Sequence, residues 1–201
     1  VNDIENIRSQ VLAETGSPAG ICGPQGPQCD VPISFIDTSL ELLKNYNWGR
    51  DQGMANFGGL ESKRLIEKEA IGVVGCITPW NVPLQINLAK IIPALSAGCS
   101  VVLKPAPDTP WSATLIGAAA NQTDIPDGII NIVPSSDPQS IGEQLVNDPR
   151  VDMISFTGST ATGRTIMSVA ARTVKKVFLE LGGKSANIIL DDADFSQALL
   201  S

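Results

Sequence analysis

Three polar residues that could take part in catalysis or bind a ligand lie close to the ends of short apolar runs. Asn81 follows the run that ends at Ile77, and its side-chain amide could donate a hydrogen bond to a developing oxyanion. Lys104 ends a second run and could bind ribose hydroxyls or a phosphate. Glu180 lies between two leucines, which would desolvate its carboxylate and suit it to act as a general base. Each also has a plainer explanation, as a turn residue, a solvated lysine and a solvated acid at a strand end.

The segment over residues 158–165, Gly-Ser-Thr-Ala-Thr-Gly-Arg-Thr, has two functional interpretations. A P-loop NTPase needs G-x-x-x-x-G-K-[ST], and here Arg164 takes the place of the lysine. In that case Asp191, which follows an apolar run, could hold magnesium. The second interpretation is a strand followed by a helix N-terminus whose free N–H groups bind a pyrophosphate. The plain alternative is an ordinary helix capped by Ser159.

One strand–helix–strand unit positions the first two of these residues. Residues 73–77 form a short β-branched run typical of a buried strand. A helix is predicted from Pro83 to a glycine cap at Gly98, followed by a second strand over residues 101–103. A right-handed crossover makes the two strands parallel. Asn81 and Lys104 then lie at the same edge of the sheet, where such sheets bind ligands.

The alternation continues along the chain and predicts an α/β fold, an open, mostly parallel sheet with helices on both faces. We predict a helix over residues 1–14, a loop over 16–32, a second helix around 36–43, and an exposed strand or connector over 49–70. Further helices are predicted over residues 111–120 (with Thr109 as a cap), 140–146, 160–171 and beyond 192. Further strands are predicted over residues 129–133, 151–156, 174–179 and 186–190. A turn is predicted at residues 180–183. Residues 1–70 are expected to form N-terminal helices and a connector, and residues 71–201 a βα domain.

The composition excludes several classes of function. The net charge is −7 with no long basic run, which argues against nucleic-acid partners and membrane surfaces. No apolar segment is long enough to span a membrane, and no signal peptide opens the chain. The absence of histidine excludes Ser-His and Cys-His catalysis and most metal sites within this chain. The four cysteines lack zinc spacing, so we expect reduced thiols in a cytoplasmic protein.

Five motifs in this order resemble the aldehyde dehydrogenase superfamily. They are Ile77-Thr78-Pro79-Trp80-Asn81-x-Pro83, Pro93-Ala94-Leu95-x-Ala97-Gly98, Val101-Val102-Leu103-Lys104-Pro105, Ser155-Phe156-Thr157-Gly158-Ser159-Thr160 and Leu179-Glu180-Leu181-Gly182-Gly183-Lys184-Ser185. The resemblance extends from about residue 64 to residue 200. It makes the NTPase interpretation a distant second.

The resemblance implies a Rossmann-like domain for NAD or NADP and a role for each matching residue. Ile77, Thr78, Pro79 and Trp80 would line the cofactor groove, Lys104 would reach the adenosine ribose, Gly158 and Ser159 would hold the pyrophosphate, and the Leu181 backbone would contact the nicotinamide. Asn81 would donate to the oxyanion, and Glu180 would activate the water that hydrolyses a thioester.

The chain departs from the family pattern at two places. The family nucleophile is a cysteine that follows the Glu-Leu-Gly-Gly motif by about thirty residues or more. No cysteine follows Glu180 here, so none of the four cysteines is expected to be catalytic. Many NAD-preferring members have a glutamate three residues after the lysine, where this chain has Pro107. The choice between NAD and NADP therefore stays open.

We conclude from the sequence that the chain is a fragment covering mainly the cofactor-binding domain. It would begin inside a longer polypeptide, the catalytic domain would be absent, and the full-length parent would be a homo-oligomer that oxidises an aldehyde to a carboxylic acid. The fragment would supply cofactor binding, Asn81 and Glu180, and would be inactive alone. The alternatives are a truncated, non-catalytic protein that binds a nucleotide or a partner, and a P-loop-like NTPase.

Overall fold

The fold is built around a five-stranded parallel sheet. The computed structural model describes residues 4–194. The strands are β3 (Val73–Ile77), β4 (Ser100–Lys104), β5 (Ile130–Ile132), β6 (Met153–Gly158) and β7 (Lys176–Leu181), and their order across the sheet is β5-β4-β3-β6-β7. Every neighbouring pair in this sheet is parallel, as the strand–helix alternation predicts.

Four helices connect the parallel strands and cover both faces of the sheet. They are α4 (Pro83–Ser96), α5 (Trp111–Ala120), α6 (Pro138–Asn147) and α7 (Thr160–Ala170), which continues into a 3-10 turn (Ala171–Thr173). Helices α4 and α5 pack with apolar side chains of β3, β4 and β5 on one face. Helices α6 and α7 pack with those of β3, β6 and β7 on the other. The central strands β3 and β4 are therefore buried, which explains why they are short apolar runs, whereas β7 at the edge is mostly exposed.

The N-terminal part of the chain forms three helices and a hairpin. The helices are α1 (Ile4–Thr15), α2 (Ala19–Cys22) and α3 (Asp30–Lys44), and the antiparallel hairpin joins β1 (Gly49–Phe57) to β2 (Leu60–Glu67). The predicted first helix and the predicted exposed strand are confirmed within the described residues. The predicted loop over residues 16–32 is wrong in part, because it contains α2 and the start of α3.

Three details of the C-terminal half correct the sequence prediction. Residues 186–190 form no strand, although Ile188 to Leu190 are apolar, because β7 is the last strand of the sheet and no described strand pairs with its free edge. The predicted turn at 180–183 is wrong, since β7 runs through Leu181 and residues 182 and 183 form no turn. Thr109 does not cap α5, because the side chain that caps that helix is Glu14 of α1. The helix predicted beyond residue 192 lies mainly outside the described residues.

Candidate functional site

The order of the strands creates a crevice at the centre of the sheet. From β3 the chain first builds outward through β4 and β5, and then returns to place β6 on the opposite side of β3. The connections next to this point run to opposite faces, so the carboxyl ends of β3 and β6 open a gap between them. Ile77 ends β3 and pairs in register with Phe156, two residues before Gly158 ends β6.

A cleft of about 520 Å³ lies at this point, between helices α6 and α7. Two residues that the sequence predicted as cofactor contacts, Ile77 and Lys104, lie in its wall. The remaining lining residues are Pro138, Gln139, Gly142, Glu143 and Val146 of α6 and Ala161, Thr162, Thr165, Ile166 and Val169 of α7. The cleft is thus mainly apolar, with one cationic side chain at a strand end, which is typical of a site for a small organic ligand.

Lys104 is the last residue of β4 and only 5% exposed. Its Nζ donates a hydrogen bond to the Pro105 carbonyl oxygen at 3.0 Å. Its stem passes close to Gly142 of α6, where a Cβ would lie 3.9 Å from Lys104 Cε. Burial lowers the pKa of Lys104. A buried ammonium group at the edge of a cleft is suited to hydrogen-bond ligand hydroxyl or phosphate oxygens.

Helix α7 begins directly after β6 and presents its N-terminus beside the cleft. Ser159 caps this helix by accepting a hydrogen bond from the Thr162 amide at 3.1 Å. The amides of Thr160 and Ala161 lie at the same helix end, where the helix dipole favours an anion. Gly158 leaves room for the Phe156 ring, which a Cβ at this position would approach to 2.5 Å.

The structure of residues 158–165 does not support the P-loop interpretation. A P-loop needs an extended glycine-rich loop that wraps a phosphate before its helix begins. Here α7 already starts at Thr160, so the four residues between the motif's glycines include three that belong to the helix. Arg164 is exposed on the second turn, and Asp191 does not follow a strand.

The loop after β3 holds the remaining predicted groove residues. Thr78 is buried, donates from its hydroxyl to Asn87 Oδ1 of α4 at 2.7 Å, and donates from its amide to the Lys104 carbonyl at 3.2 Å. Its side chain therefore braces the loop against α4. Pro79 is half-buried, and Trp80 and Asn81 are exposed just before α4 begins. The Asn81 amide is accessible to a ligand at this edge of the sheet.

Leu181 ends β7 and lies opposite Gly158 in register. Its side chain packs on Gly163 of α7, where a Cβ would come within 2.6 Å of Leu181 Cδ2. Glycine at this position allows α7 to approach β7 closely. Leu181 and the first turns of α7 therefore lie close together at the carboxyl ends of β6 and β7.

Glu180 lies on the other face of the sheet, because successive strand residues point to opposite sides. It is exposed, so the desolvation that its two leucine neighbours predicted is not provided by the described residues. Leu179 and Leu181 point to the α7 face instead. The carboxylate of Glu180 is open to water on the face that carries α4.

Lys90 of α4 is a buried candidate that the sequence prediction missed. It is 7% exposed, and its Nζ lies 3.0 Å from Ser155 Oγ and 5.9 Å from the centre of the Phe178 ring. Burial lowers its pKa, an effect that the nearby Cys76 and Glu180 oppose. A signal was present in the sequence, since residues 83, 87, 90 and 94 recur at helical spacing along the buried side of α4. A lysine on that stripe had to be buried.

All four cysteines are free and buried. Burial raises the pKa of Cys76 to about 12 and that of Cys29 to about 12, the latter also through the neighbouring Cys22. A nucleophilic cysteine requires the opposite shift, towards the thiolate. Within residues 4–194, no cluster of three or more histidine, cysteine or acidic residues could hold a metal ion. No helix in the same range is long and apolar enough to cross a membrane.

A doubly wound parallel sheet with a cleft and a helix N-terminus at its switch point defines the class of α/β proteins that commonly bind dinucleotides. The model of the aldehyde dehydrogenase family matches residues 25–201, and the chain belongs to the aldehyde dehydrogenase family. The family and the Rossmann-like fold that the sequence motifs implied are thereby confirmed.

Known proteins with similar sequences and structures are much longer than this chain. It is 44% identical over 197 residues to 3-succinoylsemialdehyde-pyridine dehydrogenase of Pseudomonas sp., covering 98% of this chain and 39% of that protein. The crystal structure of succinate-semialdehyde dehydrogenase from Burkholderia pseudomallei matches 99% of this chain and 40% of its own, with a TM-score of 0.86 and 36% identity. A variant of aldehyde dehydrogenase C from Pseudomonas syringae, complexed with NAD+ and octanal, matches 98% of this chain and 38% of its own, with a TM-score of 0.82 and 37% identity.

Proposed function

We propose that this chain forms the cofactor-binding part of an NAD(P)-dependent aldehyde dehydrogenase that oxidises an aldehyde to a carboxylic acid. The observation that carries the proposal is the cleft at the switch point, with Ile77 and Lys104 in its wall and the start of α7 beside it. Family membership and the NAD+ complex of a similar structure support the same conclusion.

The residues present fit a dinucleotide. Lys104 can bind the adenosine ribose from the strand end, and the amides at the start of α7, with Gly158 and Ser159, can hold the pyrophosphate. Ile77 supplies apolar contact, Pro79 and Trp80 border the groove, and Thr78 braces its loop rather than reaching the ligand. We propose that the Leu181 backbone contacts the nicotinamide end. Such a cofactor would supply a hydride acceptor for the oxidation.

Asn81 and Glu180 are the proposed catalytic residues of this chain. A thiolate attacks the aldehyde carbon, and the exposed Asn81 amide donates to the oxygen on which negative charge develops. After oxidation, Glu180 removes a proton from the water that hydrolyses the thioester. We propose that the thiolate is not one of this chain's four cysteines, because they are buried and the pKa values of Cys29 and Cys76 are raised.

The cofactor can be NAD or NADP. Pro107 is exposed and uncharged at the position where a glutamate would repel a 2′-phosphate, so this residue gives no preference for NAD. We further propose an aldehyde as the substrate, a homo-oligomeric full-length protein in the cytoplasm, and neither nucleic acid nor membrane as a partner. The boundary at residues 70/71 between the N-terminal part and the cofactor domain remains part of this proposal.

One observation favours a second function, a non-catalytic protein that binds a nucleotide or a partner. The free edge of β7 carries Val174, 92% exposed, beside the strand and Phe178, 51% exposed, within it. An exposed apolar strand edge is a surface that another polypeptide can cover. The aldehyde dehydrogenase proposal accounts for more of the chain, because it also explains the cleft.

Binding measurements with the 201-residue chain test the proposal. We expect NAD+ or NADP+ to bind in isothermal titration calorimetry, and Lys104→Met to raise Kd by about tenfold or more, since hydrogen bonds from charged groups contribute about 1.5–3 kcal/mol. Methionine keeps an apolar stem, so the cleft wall is preserved. Lys184→Met, at an exposed lysine outside the cleft, is the matched control.

Two results would contradict the proposal. Binding of neither dinucleotide would remove its basis, and equal Kd values for the two lysine variants would place the ligand elsewhere. NAD(P)H formation from an aldehyde by the pure chain would show that the chain contains its own nucleophile.

A further inference from the structure

The loop between α2 and α3 brings two cysteines together. Its sequence is Cys22-Gly-Pro-Gln-Gly-Pro-Gln-Cys29, and Cys22 ends α2 while Cys29 precedes α3. The loop folds back on itself: the Gln28 amide donates to the Ile21 carbonyl at 3.2 Å, and the Gly26 amide donates to the Gly23 carbonyl at 2.9 Å. Cys22 follows Ile21 and Cys29 follows Gln28, so the two cysteines belong to backbone segments that contact each other.

Close packing and an ion pair hold this loop closed. A Cβ at Gly26 would lie 2.3 Å from the Ile21 carbonyl oxygen, so only glycine allows the two segments to approach. Asp30, at the start of α3, accepts from Arg8 Nε of α1 at 3.0 Å and from the Gln25 amide at 2.9 Å. These hydrogen bonds connect the loop to the start of α3 and, through Asp30, to α1.

The two thiols lie in one buried cluster and contact each other. Cys22 is 2% and Cys29 0% exposed, and both pack with Val11 of α1 and Leu84 and Leu88 of α4. The two thiols are close enough for Cys22 to raise the pKa of Cys29. The hydrogen bond between Gln28 and Ile21 brings together the backbone segments that carry the two cysteines, as a disulfide bond requires.

We propose that Cys22 and Cys29 form a dithiol site at which a small-molecule disulfide, such as oxidised glutathione, generates an intramolecular disulfide bond. One protein thiolate attacks a sulfur of the oxidant, forms a mixed disulfide and releases one glutathione thiolate. The second protein thiolate attacks the protein sulfur of that mixed disulfide and releases the other glutathione. The protein loses two protons and two electrons, and the oxidant becomes two reduced glutathione molecules. This site is independent of the proposed cofactor cleft.

The environment of the pair determines how fast it reacts. Burial, together with the adjacent Cys22, raises the pKa of Cys29 to about 12; Asp30 raises it further and Arg8 opposes the increase. The Cys29 thiol is therefore protonated at neutral pH, and the oxidant reaches the buried pair only when the loop opens. Oxidation is expected to be slow, and the product is expected to close the loop covalently.

Mass spectrometry of the full chain tests this site. The chain is equilibrated in oxidised glutathione, quenched in acid, unfolded and alkylated, and then digested with trypsin. Residues 9–44 contain no lysine or arginine before Lys44, so Cys22 and Cys29 fall in one peptide, while cleavage after Lys90 separates Cys76 from Cys99. We expect only two of the four cysteines to be alkylated. The 9–44 peptide should be unalkylated and two hydrogens lighter than the same peptide with two free thiols.

Variants and refolding separate this result from its alternatives. Cys22→Ser and Cys29→Ser should each leave the remaining loop cysteine free or bound to glutathione, without a new protein disulfide. Refolding the reduced chain in the same buffer removes the barrier of burial and should give the same pair. Persistence of both thiols after both treatments would overturn the proposal. A bond to Cys76, to Cys99 or between two chains in place of this pair would do so equally.

Discussion

Among single residues, Lys90 is the clearest case of a normally charged side chain in a buried position. Its amine lies inside the protein against Ser155 and the Phe178 ring, where a charge is costly unless it is well compensated. Glu180 lies close enough to raise the Lys90 pKa, but burial has the larger effect and lowers it. The α4 face of the sheet thus holds a buried amine close to Glu180, the residue proposed as general base.

The lowered pKa of Lys90 predicts a specific dependence of stability on pH. Between this pKa and the unfolded value of 10.5, the folded state holds fewer protons than the unfolded state, so raising the pH relieves the cost of burying the charge. The free energy of unfolding of Lys90→Met relative to wild type should therefore fall from pH 8 to pH 10 in urea titrations. Lys176→Met, at an exposed lysine of β7, is the control. If the difference in free energy of unfolding between Lys90→Met and wild type does not change between pH 8 and pH 10, the lowered pKa of Lys90 is contradicted.

Among the elements, α1 and α5 depend on one another through Glu14. This residue is in the last turn of α1, and its carboxylate accepts from the amides of Trp111 at 2.8 Å and Ser112 at 3.2 Å, at the start of α5. Burial raises the pKa of Glu14, and the hydrogen bonds from α5 oppose the increase. The carboxylate takes the place of a local cap, which α5 lacks.

Removing this long-range cap should destabilise the docking of α1. Glu14→Ala is expected to lower the free energy of unfolding by about 1 kcal/mol, in the range found for helix caps, and Glu14→Gln should recover part of the loss through its remaining acceptor oxygen. Glu61→Ala, at an exposed position in the hairpin, should change stability by less than about 0.5 kcal/mol. Urea denaturation measures all three, and equal values for Glu14→Ala and Glu61→Ala would contradict the capping role.

The elements also show where sequence patterns are sufficient. The unit from β3 through α4 to β4 was predicted closely because Pro83, Gly98 and β-branched apolar runs determine its structure locally; in the structure, Gly98 has a φ of +78°. The strand predicted over residues 186–190 failed because a strand also needs a hydrogen-bonding partner, which a local pattern cannot show. The Glu14 cap was missed for a similar reason, since its partners lie 97 and 98 residues away in sequence.

At the scale of the whole molecule, the sheet separates the candidate site into two sides. The cleft with Lys104 and the start of α7 lies on the α6–α7 face, whereas Glu180 and Lys90 lie on the α4 face. The sequence motifs predicted a set of site residues but not this division, because the face of a strand residue depends on the register of the sheet. The chain spans about two fifths of the length of the matching proteins.

We propose that a dinucleotide binds in the cleft between α6 and α7. Amide hydrogen exchange of the 201-residue chain, measured by mass spectrometry with and without saturating NAD+ or NADP+, tests where it binds. We predict slower exchange in residues 158–163 at the start of α7 and in the loop after Ile77, with the β1–β2 hairpin unchanged. Unchanged exchange at the start of α7, or slower exchange confined to another part of the chain, would contradict dinucleotide binding in this cleft.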